Sequence, residues 1–186
     1  MKKVFLAAVT LISVAFVGTA NAQATETDNV TVNIRLKPIH TIVVTGNQKI
    51  VDLVYDTKEK YNAGVSSTQT DHLTIFSTGG FVVNVKSGKF VNSATGSTPI
   101  DDQDAVKVQA TNSSGNDLSV TSPTVTLSTS DQPFITSSLG GRDKKFSVTY
   151  SGAGGDAYLN KYDKDFTSED GKNVYKATVT YTIVAD

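Results

Sequence analysis

Two histidines, two clusters of acids and one glycine-rich run are the groupings in this 186-residue chain whose types invite chemistry. His40 sits inside a strand-like run and His72 opens another. A nucleophilic triad needs a histidine held beside Ser or Cys and oriented by a carboxylate. The chain has no cysteine and no G-x-S-x-G elbow. Both histidines therefore read as ordinary sheet or surface positions. A zinc site would need His and Cys at ligand spacing, and that spacing is missing.

Asp101, Asp102 and Asp104 form one acidic cluster; Asp163, Asp165, Glu169 and Asp170 form the other. Oxygen-rich loops can hold calcium, but neither cluster has the EF-hand spacing, despite the superficial likeness of D-K-D-F-T-S-E-D-G. Solvated turn acids are the plainer reading. A glycosidase pair requires two carboxylates at a set separation, which a sequence does not display. Tryptophan, the usual sugar-stacking residue, is absent. Ser151–Gly155 lacks the G-x-G-x-x-G and G-K-[ST] patterns and precedes no helix, so it reads as an inter-strand loop, not a phosphate cradle. We expect no enzyme, no metal and no cofactor.

The elements that would position any site are strands. Tyr175, Ala177, Val179, Tyr181 and Ile183 alternate with Lys176, Thr178, Thr180 and Thr182. That period of two predicts one long strand over Val174–Ala185, about 40 Å at ~3.3 Å per residue. Val30, Val32, Ile34 and Leu36 alternate the same way and predict a half-buried strand, which Pro38 then interrupts. Further strands are predicted over Ile39–Thr45, Ile50–Tyr55, Ala105–Thr111, Pro123–Ser128 and Lys144–Tyr150. His72–Ser77 and Phe81–Ser87 flank Thr78-Gly79-Gly80 and predict a hairpin. Asp56–Thr70 reads as a long crossover loop with one helical turn ending at Gly64. The sum is an all-β chain, an antiparallel sandwich of about nine strands.

Compartment is written at the start. Lys2 and Lys3 precede an apolar run from Val4 to Val17, and Ala20-Asn21-Ala22 has the A-x-A form that signal peptidase cleaves. The expected organisation is a signal peptide at 1–22 cut between Ala22 and Gln23, a flexible leader at 23–29 and a single domain at 30–186. The apolar run is too short for a membrane anchor, so no stable membrane insertion is expected after cleavage. Without the signal peptide the chain carries fifteen basic and eighteen acidic residues. That balance, with no basic cluster, argues against nucleic acid and anionic lipid as partners. The expected location is secreted or periplasmic, extending to the outer cell surface.

The N-terminal V-T-V-N-I-R-L, the L-T-I-F-S-T-G-G-F-V-V-N-V stretch and the closing V-Y-K-A-T-V-T-Y-T-I-V, behind a signal peptide, resemble small fimbrial-type subunits of Gram-negative bacteria. The resemblance implies an immunoglobulin-like sandwich that lacks a strand, filled by the N-terminal extension of another copy or related subunit. It implies a donor face of Val30, Val32, Ile34 and Leu36, and an acceptor groove bordered by Tyr175, Ala177, Val179, Tyr181 and Ile183. The chain departs from many such subunits in having no disulfide, and in placing Tyr181 five residues from the end. The same N-terminal strand can instead complete its own sandwich. Of the two we expect self-completion, because exposed edges are a liability. A structural or adhesive surface role follows. The alternative is a glycan- or small-ligand-binding module using the loops Asp56–Thr70, Gly88–Asp104 and Ser151–Lys172, with calcium as a candidate aid.

Overall fold

β-branched and aromatic residues at alternate positions favour the pleated, half-buried surface of a sheet. The computed structural model describes residues 26–93, 95–96, 100, 106–162 and 173–186. Among them are ten strands: β1 His40–Val44, β2 Val65–Ser77, β3 Phe81–Ser87, β4 Val91–Asn92, β5 Lys107–Asn112, β6 Val125–Thr126, β7 Gln132–Ser137, β8 Gly141–Gly152, β9 Tyr175–Lys176 and β10 Val179–Ala185. The helix α1 covers Lys58–Ala63 and a 3-10 turn covers Gly46–Gln48. No helix among the described residues is long and apolar enough to cross a membrane.

Every ladder is antiparallel. One sheet has five strands in the order β1-β2-β8-β5-β6, a second has three in the order β10-β3-β7, and β4 pairs with β9. The first two share one core. Leu73, Ile75, Val108, Phe146 and Val148 come from the five-stranded sheet, and Phe81, Val83, Val85, Phe134 and Ile135 from the three-stranded one; all are fully buried. Two sheets burying alternate residues against each other form a sandwich-like arrangement. Alternate residues of β5 and β8 are buried: Val108 and Ala110 in β5, and Phe146, Val148 and Tyr150 in β8.

α1 follows its local signals. Thr57 caps its start by accepting from the Lys60 N–H at 3.3 Å. Gly64 ends it at φ +85°, where a side chain would be strained. The expected loop nevertheless runs too far, since Val65–Thr70 already belongs to β2.

Four other expectations are corrected. Val30–Leu36 is not a strand, and Val30 (87%), Val32 (81%), Ile34 (83%) and Leu36 (90%) are exposed rather than half-buried. β2 and β3 do not form a hairpin: they belong to different sheets, and Thr78-Gly79-Gly80 carries the chain across. Neither Gly79 nor Gly80 takes the positive φ that a tight hairpin would ask for. The long final strand is two strands, β9 and β10, parted at Ala177-Thr178 and committed to different sheets. Ile50–Tyr55 keeps its alternation, with Val51, Leu53 and Tyr55 turned in, but enters no ladder.

The chain divides into a unit ending at Arg35 and a unit from Leu36 to Asp186. The described part of the first, residues 26–35, has no secondary structure and is exposed. All the strands among the described residues lie in the second.

Candidate functional site

The inner side chains of β10 and of the segment Lys49–Asp56 meet at one cleft. After β1 the chain turns through Gly46–Gln48, and Lys49–Asp56 then runs extended. Val51 and Leu53 pack against the core. None of the backbone groups in this segment bonds to another backbone group among the described residues. β10 is in the same condition on one side: it pairs with β3 and forms no second ladder among the described residues. Backbone N–H and C=O groups are strong and call for partners, so these two unladdered extended segments leave main-chain groups open to water or to another chain.

Between them lies a cavity of about 410 Å³. Val51 and Leu53 line it from one side, and Ala177, Val179 and Tyr181 from the other. Lys49 is the one charged residue among its described lining groups.

The inner wall of this cleft is polar in a particular way. Gln48 donates through Nε2 to the Thr70 carbonyl at 2.8 Å. That leaves Gln48 Oε1 as acceptor, 3.0 Å from His72 Nδ1. His72 Nδ1 therefore carries the proton and Nε2 is the free acceptor. The Tyr150 hydroxyl lies 2.8 Å from Nε2 and donates to it. The Tyr181 hydroxyl, 2.7 Å from that of Tyr150, donates to Tyr150 in turn. One directed chain thus runs from β10 through β8 and β2 to the turn after β1. The His72 ring meets the Tyr150 ring edge-on, with centroids 5.6 Å apart.

Burial sets the acidities here. It lowers the pKa of His72, because the imidazolium loses water and gains no anion. It raises Tyr150, and it raises Tyr181 far above the ordinary phenol range, with the neighbouring Tyr150 adding to the effect. All three are held neutral, which suits a structural hydrogen-bond chain and not a charged nucleophile or acid.

The expected acceptor residues are brought together in part. Ala177, Val179 and Tyr181 line the cleft. Ile183 is half-buried against the core, and Tyr175 belongs to β9, where its hydroxyl donates to the Lys161 carbonyl at 2.8 Å. His40 stands apart on β1, with Nδ1 2.8 Å from the Ser77 hydroxyl. Ala22, Gln23 and both acidic clusters lie outside the described residues. Among the described residues no group of His, Cys, Asp and Glu is placed to hold a metal ion.

Sequence reasoning missed the Gln48–His72–Tyr150–Tyr181 chain. Its links join residues 24, 78 and 31 positions apart. The available signal was weak: Tyr150 and Tyr181 each occupy the inward face of a strand, where a hydroxyl must find a partner. No family model matches this chain, and no curated protein matches it either.

Proposed function

We propose that this protein is an exported, non-enzymatic structural or adhesive surface subunit with an immunoglobulin-like β-sandwich that assembles by strand pairing. In this reading the segment Val30–Leu36 of one copy occupies the cleft between Lys49–Asp56 and β10 of another. The observation that carries it is the pair of unladdered extended segments flanking an apolar cleft, in a chain whose own alternating apolar segment is left exposed. Lengths agree: Val30–Leu36 and β10 are seven residues each. The mechanism needs only main-chain hydrogen bonds for affinity and alternate side chains for register. Four apolar side chains at alternate positions would enter the cavity, at about 25 cal/mol for each Å² of apolar surface removed from water.

The 81–90% exposure of Val30, Val32, Ile34 and Leu36 favours exchange over the expected self-completion. Deleting Gln23–Leu36 tests the reading. The truncated chain is expected to fold as a stable monomer, to stop assembling, and to bind a synthetic peptide spanning Asn29–Lys37. Collapse of the truncated fold, or assembly that continues without the segment, would sink it. Fractionation of cells expressing the full chain checks export, with loss of residues 1–22 as the expected mass change.

A further inference from the structure

We propose that the Gln48–His72–Tyr150–Tyr181 chain is an acid-released latch on the cleft, so that protonation of His72 loosens the wall formed by β10. The inference rests on the cleft as the acceptor site and adds its regulation.

Neutral His72 offers one N–H and one lone pair, and both are used: Nδ1–H toward Gln48 and Nε2 from Tyr150. The imidazolium has two N–H donors and no acceptor. On protonation Tyr150 can no longer donate to Nε2. It must accept from it and turn its own proton toward Tyr181. Tyr181 then accepts, and its own proton has to leave the chain for a cleft whose walls include Val51, Leu53 and Val179. A charge is created at the same moment in a residue only 2% exposed.

The turn after β1 presents neutral Gln48, and the following segment presents Lys49, a like charge lining the same cavity. β8 presents Tyr150 and β10 presents Tyr181, both phenols. On β2 itself the adjacent Asp71 points to Lys145, at 3.1 Å. Among the described residues no carboxylate lines the cavity. The proton is therefore unwelcome while the cleft is closed and ordinary once β10 has moved away. Acid accordingly favours the loosened form. The dependence is bounded: uptake of one proton shifts an opening equilibrium by at most about tenfold per pH unit.

Three measurements on the full chain test this. His72 ring resonances are followed by NMR from pH 8 to 4. Amide exchange along β10 is measured over the same range. A synthetic Asn29–Lys37 peptide reports access to the cleft. In the wild type, the opening constant of β10, taken as exchange corrected for the intrinsic pH dependence of amide exchange, is expected to rise severalfold to tenfold for each unit of pH decrease once His72 titrates. His72→Gln keeps an acceptor and an N–H without titrating, and should flatten that rise. Equal pH dependence in wild type and H72Q, or a His72 that titrates with no change along β10, would overturn the latch. Should H72Q not fold, the wild-type titration and exchange decide the matter alone. A peptide that binds at no pH, beside His72-dependent opening, would keep the latch and discard strand exchange.

Discussion

Tyr150 and Tyr181 belong to different sheets, and their hydroxyls meet at 2.7 Å. This polar contact joins two sheets that also share an apolar core of residues such as Leu73, Ile75, Val83 and Phe134. Its members are not equivalent. Tyr181→Phe removes a donor, and Tyr150 keeps its bond to His72. Tyr150→Phe strands both Tyr181 and His72 Nε2. Tyr181→Phe is expected to cost about 1 kcal/mol, and Tyr150→Phe about 1–3 kcal/mol, because an unmet buried group costs more than a lost bond. Urea denaturation of both single variants and the double variant would show the coupling.

Stability should fall at both ends of the pH scale. His72 in the folded protein lies below its ordinary value of about 6.5, so the unfolded chain takes up the proton first. Its contribution is complete above about pH 6.5 and is lost as pH falls through the folded value. Tyr150 and Tyr181 are raised, so the unfolded chain ionises first on the alkaline side. Their contribution is complete below about pH 10 and is lost as pH rises toward the folded values. Asp56, Asp71 and Asp117 are held below the usual carboxylate range by hydrogen bonds, from Lys60 to Asp56, from Ser113 and Lys145 to Asp71, and from Lys144 to Asp117. They act only as pH drops below about 4. Denaturation midpoints from pH 3 to 11 should therefore show an acid shoulder near neutrality that H72Q lacks.

Glycines separate by their surroundings. A Cβ at Gly140 would run into the Ser77 carbonyl and the Gly79 N–H, where the turn before β8 stacks on the crossover between sheets. At Gly64, φ is +85° and a Cβ would lie 2.7 Å from the Gly152 carbonyl. Gly140→Ala and Gly64→Ala should each cost about 1–3 kcal/mol. At Gly46 a Cβ meets open space, so Gly46→Ala should stay within about 0.5 kcal/mol. Thermal melts would rank the three.

Substitutions in Val30–Leu36 separate assembly from folding. Val32→Glu and Ile34→Lys change exposed side chains outside every strand. Monomer stability should move by less than about 0.5 kcal/mol. Assembly, read by light scattering or cross-linking, should be lost, since a charge at an inward position of the cleft would be buried unpaired.

Facing was legible in the sequence and pairing was not. Alternation alone identifies Val108 and Ala110, or Phe146 and Val148, as core residues, because the period of two fixes the face locally. The same alternation describes β2 and β3 equally well as a hairpin or as strands of separate sheets, since both arrangements bury the same side chains. Tyr175 and Tyr181 share one pattern yet belong to different sheets, and the division at Ala177-Thr178 follows from what each half packs against. Val32 and Ile34 carry a strand's pattern without a strand's environment. Cleft and polar chain were invisible for a related reason: both are made of contacts between residues distant in sequence.

β2 carries an irregularity opposite β8 between Gln69 and Leu73. Four steps along β2 there match two along β8, Gln69 facing Val148 and Leu73 facing Phe146. Asp71 takes φ +55° within it, a conformation that Asp tolerates better than most residues. An excess of one residue would have exchanged the faces of the strand beyond it. An excess of two is phase-neutral: Val65, Ser67 and Gln69 before it, and Leu73, Ile75 and Ser77 after it, all stay on the inward side. The sandwich can therefore accommodate this even-numbered insertion without reassigning its other side chains. What the surplus contributes is an imidazole seated beside Leu73 in the interior, where strict alternation would have turned it outward.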